Sequence, residues 1–285
     1  MNKPLFDKVT IVGVGLIGGS LGLAIKKRKL AKLVMGVVHR RRSGLEAMKK
    51  GAVHGITMNL RTGLADADLV LLCSPVSTIV SQMKDVERFA KPGALIMDVA
   101  SSKMLVGMAA KKYIRKAIYI GSHPMAGSSM RGAKYSSPDL FENAICFLTC
   151  AHRPALEFWH ALGSKTHILT PQSHDEWVAR VSHLPHILAF ALFQSSGAKR
   201  LERLGIEASN PSIQDLARLS KSDPKLWADI LLSNKTEILR VLEEHELSIR
   251  HLKKALTAKN SNEIQRFITR ANMSSQRLAP EKGKR

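Results

Sequence analysis

The residues best equipped for chemistry stand at intervals along the chain. Gly13, Gly15 and Gly18 lie near its start, Ser101 and His123 in the first half, and His183, His186, Asp215 and Arg218 in the second. The glycines belong to V-T-I-V-G-V-G-L-I-G-G-S (9–20), where a β-branched run meets G-x-G-x-x-G and an apolar helical pattern follows at once. Each glycine has a physical task in holding a dinucleotide. Gly13 permits the tight turn, Gly15 lets a pyrophosphate approach the backbone because it has no Cβ, and Gly18 lets the helix pack close to the strand. The start of that helix, at Leu16 and Ile17, offers unpaired N–H groups and a positive dipole end to the phosphates.

The elements that must position these residues alternate between strand and helix. Leu33–Val38 reads as the second strand, and the position after it, where a carboxylate would bind the adenosine ribose 2′-hydroxyl, is His39, followed by Arg40, Arg41 and Arg42. A 2′-phosphate would find charge-assisted partners in His39, Arg40 and Arg41, so NADP is expected to be preferred and NAD to remain usable. Leu69–Cys73 is a continuous apolar run, as in a strand buried on both faces, and Ser74-Pro75 ends it with a loop expected to face the cofactor. Ala94–Val99 is the next strand, followed by Ala100-Ser101-Ser102-Lys103. Ile118–Ile120 is another, followed by G-S-H-P-M-A-G (121–127). Ala144–Thr149 and His167–Leu169 add two more. Ligands of open α/β sheets bind beyond the carboxyl ends of strands, so Ser101 and His123 are expected at one crevice. The fold class is therefore an α/β Rossmann-type dinucleotide-binding domain, expected over 1–170, followed by an all-α domain over 171–279 and a basic tail at 280–285.

From Pro171 the β-branched runs stop. Pro171 to about Gly197 reads as a helix kinked at Pro185, residues 198–211 as a connection, and Ile213–Leu219 as a short helix. Asp223-Pro224 is a strong helix start. The apolar spacing after it runs to about Leu256, a helix of roughly 50 Å, too long for one small domain to bury. A homodimer through the C-terminal helices is the expected cover. Asp215 and Arg218 share one helical face, as do His183 and His186. Two imidazoles without a third convergent ligand make a poor metal site, and no metal is expected.

The formal net charge is +21. Its Lys and Arg residues are spread along the chain, aromatic residues are few and no nucleic-acid-binding motif occurs. The charge reads as a solvated basic surface that attracts polyanionic ligands rather than as a nucleic-acid site. No apolar run is long enough to span a bilayer, no signal peptide is expected, and Cys73, Cys146 and Cys150 show no C-x-x-C spacing. Cys146 and Cys150 read as small core residues of a strand, in a protein of the reducing cytoplasm.

The chain resembles the prephenate/arogenate dehydrogenase family of tyrosine biosynthesis. The resemblance is carried by the glycine motif, D-V-A-S-S-K (98–103), G-S-H-P-M-A-G (121–127), D-L-F-E-N-A (139–144), H-D-E-W-V-A-R-V-S-H-L-P-H (174–186) and D-L-A-R-L-S-K-S-D-P (215–224), in family order over nearly the whole chain. It implies a nucleotide-binding domain followed by a helical dimerisation domain, and an oxidative decarboxylation of a cyclohexadienyl substrate with NAD or NADP. His123 falls on the family's catalytic histidine and Ser101 on its active-site serine. Arg218 falls on a substrate-binding arginine, which Asp215 would orient, and His186 on a position that contacts the substrate side chain in prephenate-specific relatives. That leans the substrate toward prephenate, with arogenate as the alternative. Asn210-Pro211-Ser212-Ile213-Gln214 departs from the family's glycine-rich turn and aromatic residue, which bears on how Arg218 approaches the ligand. His174 and Asp175 are expected at the domain junction, Ser102 to face away, and Lys103 to carry no chemistry. Neither a chorismate mutase segment nor a regulatory domain is expected. A Rossmann dehydrogenase for another hydroxy acid, and a non-catalytic nucleotide-binding protein, are the more remote readings; neither accounts for Ser101, His123 and Arg218 together.

Overall fold

The computed structural model describes residues 3–127, 130–195 and 211–278. The connection expected over 198–211 lies outside them apart from Pro211, as does the tail at 280–285. Eight strands form a sheet: β1 (Phe6–Val12), β2 (Ala31–Val37), β3 (Gly55–Thr57), β4 (Leu69–Leu72), β5 (Leu95–Asp98), β6 (Ile118–Pro124), β7 (Ile145–Leu148) and β8 (Lys165–Ile168). Their order is β3-β2-β1-β4-β5-β6-β7-β8, parallel except where β7 runs antiparallel to β6. Helices α1 (Leu16–Lys27), α2 (Arg41–Lys49), α3 (Leu60–Leu64), α4 (Val76–Phe89), α5 (Met104–Tyr113) and α6 (Arg153–Ala161) connect the strands.

The period of two along a strand divides the core. Leu69 and Leu71 pack on one face of the sheet with Val9, Ile11, Leu21, Ile25, Phe158 and Trp159. Val70 and Leu72 pack on the other with Val12, Ile79, Met83, Ile96 and Val106. The order reverses at β1, which pairs with β2 on one side and β4 on the other. A crevice for a ligand opens at that switch point, between the turn after β1 and the turn after β4.

The helical part contains α7 (Pro171–Val178), a π-helical turn (Ala179–His183), α8 (Leu184–Ser195), α9 (Pro211–Ser220), α10 (Pro224–Ser233), α11 (Lys235–Thr257) and α12 (Ser261–Leu278). Thr170 and Asp223 cap α7 and α10 by accepting the Ser173 and Leu226 N–H groups. The wide π turn sits immediately ahead of Pro185, whose missing N–H disrupts the regular ladder.

Packing divides the chain into one compact unit, Met1–Lys235, and a second, Thr236–Arg285. In the second unit, i,i+3 and i,i+4 pairs such as Arg250–Glu246 and Arg266–Glu263 lie beside exposed Leu247, Ile249, Leu256, Ile268 and Met273. Among the described residues, no helix is long and apolar enough to cross a membrane.

Three local expectations are corrected. The helix expected from Asp223 to Leu256 breaks at Asn234 (φ −117°, ψ 29°), because the Asn234 side chain donates to the Asp175 carbonyl at 2.8 Å instead of facing solvent. His123 lies inside β6 rather than after it, because β7 pairs with Ser122–Pro124 and extends the strand. Cys150 is exposed beyond the end of β7, whereas Cys146 is buried in it.

Candidate active site

The glycine turn after β1 has the geometry its sequence requires. Gly13 has φ +95°, and a Cβ there would stand 2.9 Å from Ser74 Oγ. A Cβ on Gly18 would stand 2.2 Å from the Gly13 carbonyl oxygen, so the close approach of α1 to the turn depends on glycine. A Cβ on Gly15 would meet nothing within 4 Å; the space it would fill is free for a ligand. The first turn of α1 has no side-chain cap and no acidic residue, which leaves its N-terminal dipole available to phosphates. The residues present therefore suit a dinucleotide.

One cavity of about 370 Å³ runs from this turn to the end of β2, lined by Gly13, Gly15, His39, Arg40, Ser43 and Glu46. Arg41 does not line it; it opens α2 and is exposed. Glu46 is a carboxylate not anticipated here. It comes one turn after Arg42, whose guanidinium lies 3.5 Å from it.

A second cavity, of about 390 Å³, shares Gly15, Cys73, Ser74, Pro75 and Gly132 with the first and is also lined by Leu16, Ile17, Ser101, His123 and Trp227. The structure thus brings nearly all the candidate nucleotide residues into one trough with Ser101 and His123. The paired strands β5 and β6 set the positions of the last two. The buried Asp98 carboxylate accepts the Ala100 N–H at 2.9 Å, the Tyr119 hydroxyl at 2.6 Å and the buried Lys103 ammonium. That ammonium also donates to the Ser122 carbonyl at 2.7 Å. The turn carrying Ser101 and the strand carrying His123 are held by one ion pair. Ser102 faces away, its hydroxyl 2.8 Å from that of Ser233.

His123 is half-buried, and its Nδ1 lies 2.9 Å from Nε2 of His174, which is fully buried. His174 Nδ1 in turn lies 2.8 Å from the Asp175 carboxylate. Burial, followed by the neighbouring His174 and Lys103, pushes the His123 pKa well below the usual imidazole value. Burial lowers that of His174 as well, and His183 is pushed down to about 4. All three imidazoles are neutral near pH 7. A neutral histidine has one bare ring nitrogen and can accept a proton.

Arg218, Asp215 and His186 line neither of these cavities. Arg218 and Asp215 are exposed on α9. His186 stacks on Trp227 at 3.9 Å between centroids, and the charge of Arg218, after burial, contributes to lowering its pKa. Trp227, on which His186 stacks, does line the second cavity. Arg131 lines the cavity and pairs with Asp223; no motif in the sequence singles it out. Among the described residues, no group of three or more His, Cys, Asp or Glu side chains gathers for a metal ion.

Residues 21–162 match the nucleotide-binding domain of prephenate dehydrogenase, and residues 170–270 match its dimerization domain. The chain belongs to the prephenate dehydrogenase family. Membership makes it an oxidoreductase with a nucleotide-binding domain. It is 31% identical to the prephenate dehydrogenase of Lactococcus lactis over 97% of this chain and 78% of that protein. Prephenate dehydrogenase from Aquifex aeolicus, solved with hydroxyphenyl propionate and NAD+, superposes with a TM-score of 0.82 at 26% identity, covering 95% of this chain and 98% of that one. Synechocystis arogenate dehydrogenase superposes at 0.79 with 25% identity, covering 95% and 99%.

Proposed function

We propose that the chain catalyses the NAD(P)-dependent oxidative decarboxylation of prephenate to 4-hydroxyphenylpyruvate. One observation carries this reading: Ser101 and His123, on neighbouring strands, line the same cavity as the first turn of α1. Bound at that turn, the nicotinamide coenzyme supplies the acceptor for the hydride of the ring carbon that bears the hydroxyl. The neutral His123 accepts the hydroxyl proton as the carbonyl forms, and Ser101 hydrogen-bonds the same oxygen and orients it. Loss of the ring carboxylate as CO₂ then sends the electron pair of the broken C–C bond through the ring to that carbonyl oxygen, which takes the proton back from His123 and leaves an aromatic phenol. Arg218, oriented by Asp215, holds the ring carboxylate, and His186 contacts the substrate side chain. Neither lines the cavity itself, so the substrate would have to extend from it to meet them.

Gly13, Gly15, Leu16, Ile17, Gly18, Ser74 and Pro75 would hold the coenzyme, and Ser101 would meet it where the hydride is transferred. NADP is preferred, its 2′-phosphate met by His39 and Arg40, which line the cavity, while Arg41, exposed at the start of α2, adds only its field. Glu46 in the same cavity would oppose that preference were Arg42 not beside it. Residues 1–170 form the nucleotide-binding part and 171–279 the helical part, which dimerises through the C-terminal helices. The exposed apolar side chains of α11 and α12 support that pairing. Arogenate is the second reading, favoured by the likeness to an arogenate dehydrogenase.

Following NADPH and NADH absorbance with prephenate and with arogenate tests all of this at once. Turnover of prephenate with higher kcat/KM for NADP is expected; turnover of arogenate alone would replace the substrate, and no turnover of either would overturn the reading. A monomer in sedimentation at micromolar concentration would remove the dimer.

A further inference from the structure

Three buried side chains stand in line behind the cavity. The Asp175 carboxylate accepts the Lys103 N–H at 2.6 Å and the Met104 N–H at 2.9 Å, at the start of α5. The same carboxylate is 2.8 Å from His174 Nδ1, and His174 Nε2 is 2.9 Å from His123 Nδ1. His174 and Asp175 are each only 1% exposed. Phe147 packs edge-on to the His174 ring at 5.5 Å, so the imidazole is held by its packing as well as by its bonds. Asn234 ties the backbone of Asp175 to His183. Such an array belongs to no secondary-structure requirement, and it ends on His123, which lines the cavity beside Ser101.

The direction of each bond follows from the acceptor at the far end. An ionised carboxylate that already receives two backbone N–H groups can only accept. His174 Nδ1 must therefore carry its proton, and in a neutral ring Nε2 is then bare. A bare Nε2 at 2.9 Å requires a proton on His123 Nδ1, which leaves His123 Nε2 as the unprotonated nitrogen of that ring. The charged or titratable groups whose fields reach the two imidazoles are Lys103, Asp98, Asp175 and His183.

We infer that His174 and Asp175 are positioning residues that fix the tautomer of His123, relaying the acceptor character of one buried carboxylate through two imidazoles. The consequence is a base that presents Nε2 to the cavity before any substrate arrives. As His123 takes up a proton, its Nδ1–H bond to His174 strengthens and spreads the new charge toward Asp175. Neither residue touches the substrate. The inference rests on His123 being the base of the proposed reaction, but the tautomer itself is a property of the free protein.

The experiment therefore has two arms. Nitrogen-15 NMR of the histidine-labelled full-length chain reads the tautomer with no substrate present: a proton on Nδ1 of His123 and a bare Nε2 are expected, and the opposite tautomer would overturn the inference. In the second arm His174→Phe keeps a ring and removes both nitrogens, whereas the amide of His174→Gln can accept from His123 and donate to Asp175. His174→Phe should lower kcat on the order of 100-fold with KM nearly unchanged, as expected when a base loses its required tautomer, and His174→Gln should recover most of the loss. Equal kcat in wild type and His174→Phe, or equal losses in folded Phe and Gln variants, would overturn it. Should His174→Phe not fold, the NMR result on the wild type still decides. A wild-type chain inert toward both prephenate and arogenate would sink the proposed reaction instead, and leaves the tautomer measurement standing.

Discussion

The two ends of the nucleotide trough are built on opposite principles. At the His123 end, Asp98, Lys103, His174 and Asp175 are all at most 1% exposed, and each has an identified hydrogen-bond partner. At the Arg40 end the basic side chains stand in solvent; Arg42 is 92% exposed, and its carboxylate partner is 3.5 Å away. Low dielectric makes the first set strong, directional and costly to disturb. The second set acts through a field that salt screens within about 10 Å at 0.1 M. The proposed function would thus place chemistry where geometry is fixed, and recognition of a phosphate where charge alone suffices.

The sharpest way to break this contrast is at His123. His123→Asn should cost about 1000-fold in kcat, within the range of a lost general base, and leave coenzyme affinity within about twofold; wild-type rates would remove the buried end from catalysis. Next is Gly18→Ala, whose Cβ would collide with the Gly13 carbonyl oxygen at 2.2 Å. The backbone turn must shift, and calorimetry should record about a 100-fold weaker coenzyme affinity. Arg218→Ala should raise KM for the substrate about 30-fold with little change in kcat, the size of one charge-assisted contact; an unchanged KM would reassign the carboxylate. Arg40→Ala should lower kcat/KM with NADP about tenfold, leave NAD within twofold, and flatten the salt dependence of the NADP reaction. The gentlest test is acid. His183 is buried and its folded pKa is about 4, below the unfolded value of about 6.5. Between those values the unfolded chain binds more protons, so this contribution to stability is intact above about pH 6.5 and is lost as the pH falls toward about 4. Denaturant melts across that window should show the slope, and His183→Asn should flatten it.

What the sequence discloses is what is local. G-x-G-x-x-G between a β-branched run and a helix specifies its own strand, turn and helix: Gly13 has the left-handed turn, Gly18 the close approach to that turn, and Gly15 open space where a Cβ would stand. Ser101 and His123 are legible as strand-end residues because parallel strands deliver their carboxyl ends to one edge. The position of His123 within β6, by contrast, depends on an antiparallel partner some 25 residues away, which no local pattern announces. His174 and Asp175 are visible in the motif at 174–186, yet their role depends on α7 lying against both β6 and the start of α5. The break at Asn234 has no proline or glycine to mark it; an otherwise continuous apolar spacing is overridden by one amide that bonds across the fold. Glu46 illustrates the same gap on a smaller scale: linear reading finds no carboxylate at the end of β2, but one helical turn brings it back.

The stacking of His186 on Trp227 equips the molecule with an optical reporter. Of its three tryptophans, Trp159 is wholly enclosed and Trp177 packs on Phe147, whereas Trp227 lines the cavity beside Ser101 and His123. Its emission is therefore the one that a nicotinamide or an aromatic product entering the cavity would quench, and protonation of His186, whose ring centroid is 3.9 Å from that of Trp227, would dim it as well. Fluorescence of the unlabelled protein, titrated with ligand at fixed pH and then with acid in its absence, can follow occupancy of the cavity and the charge of His186 in turn.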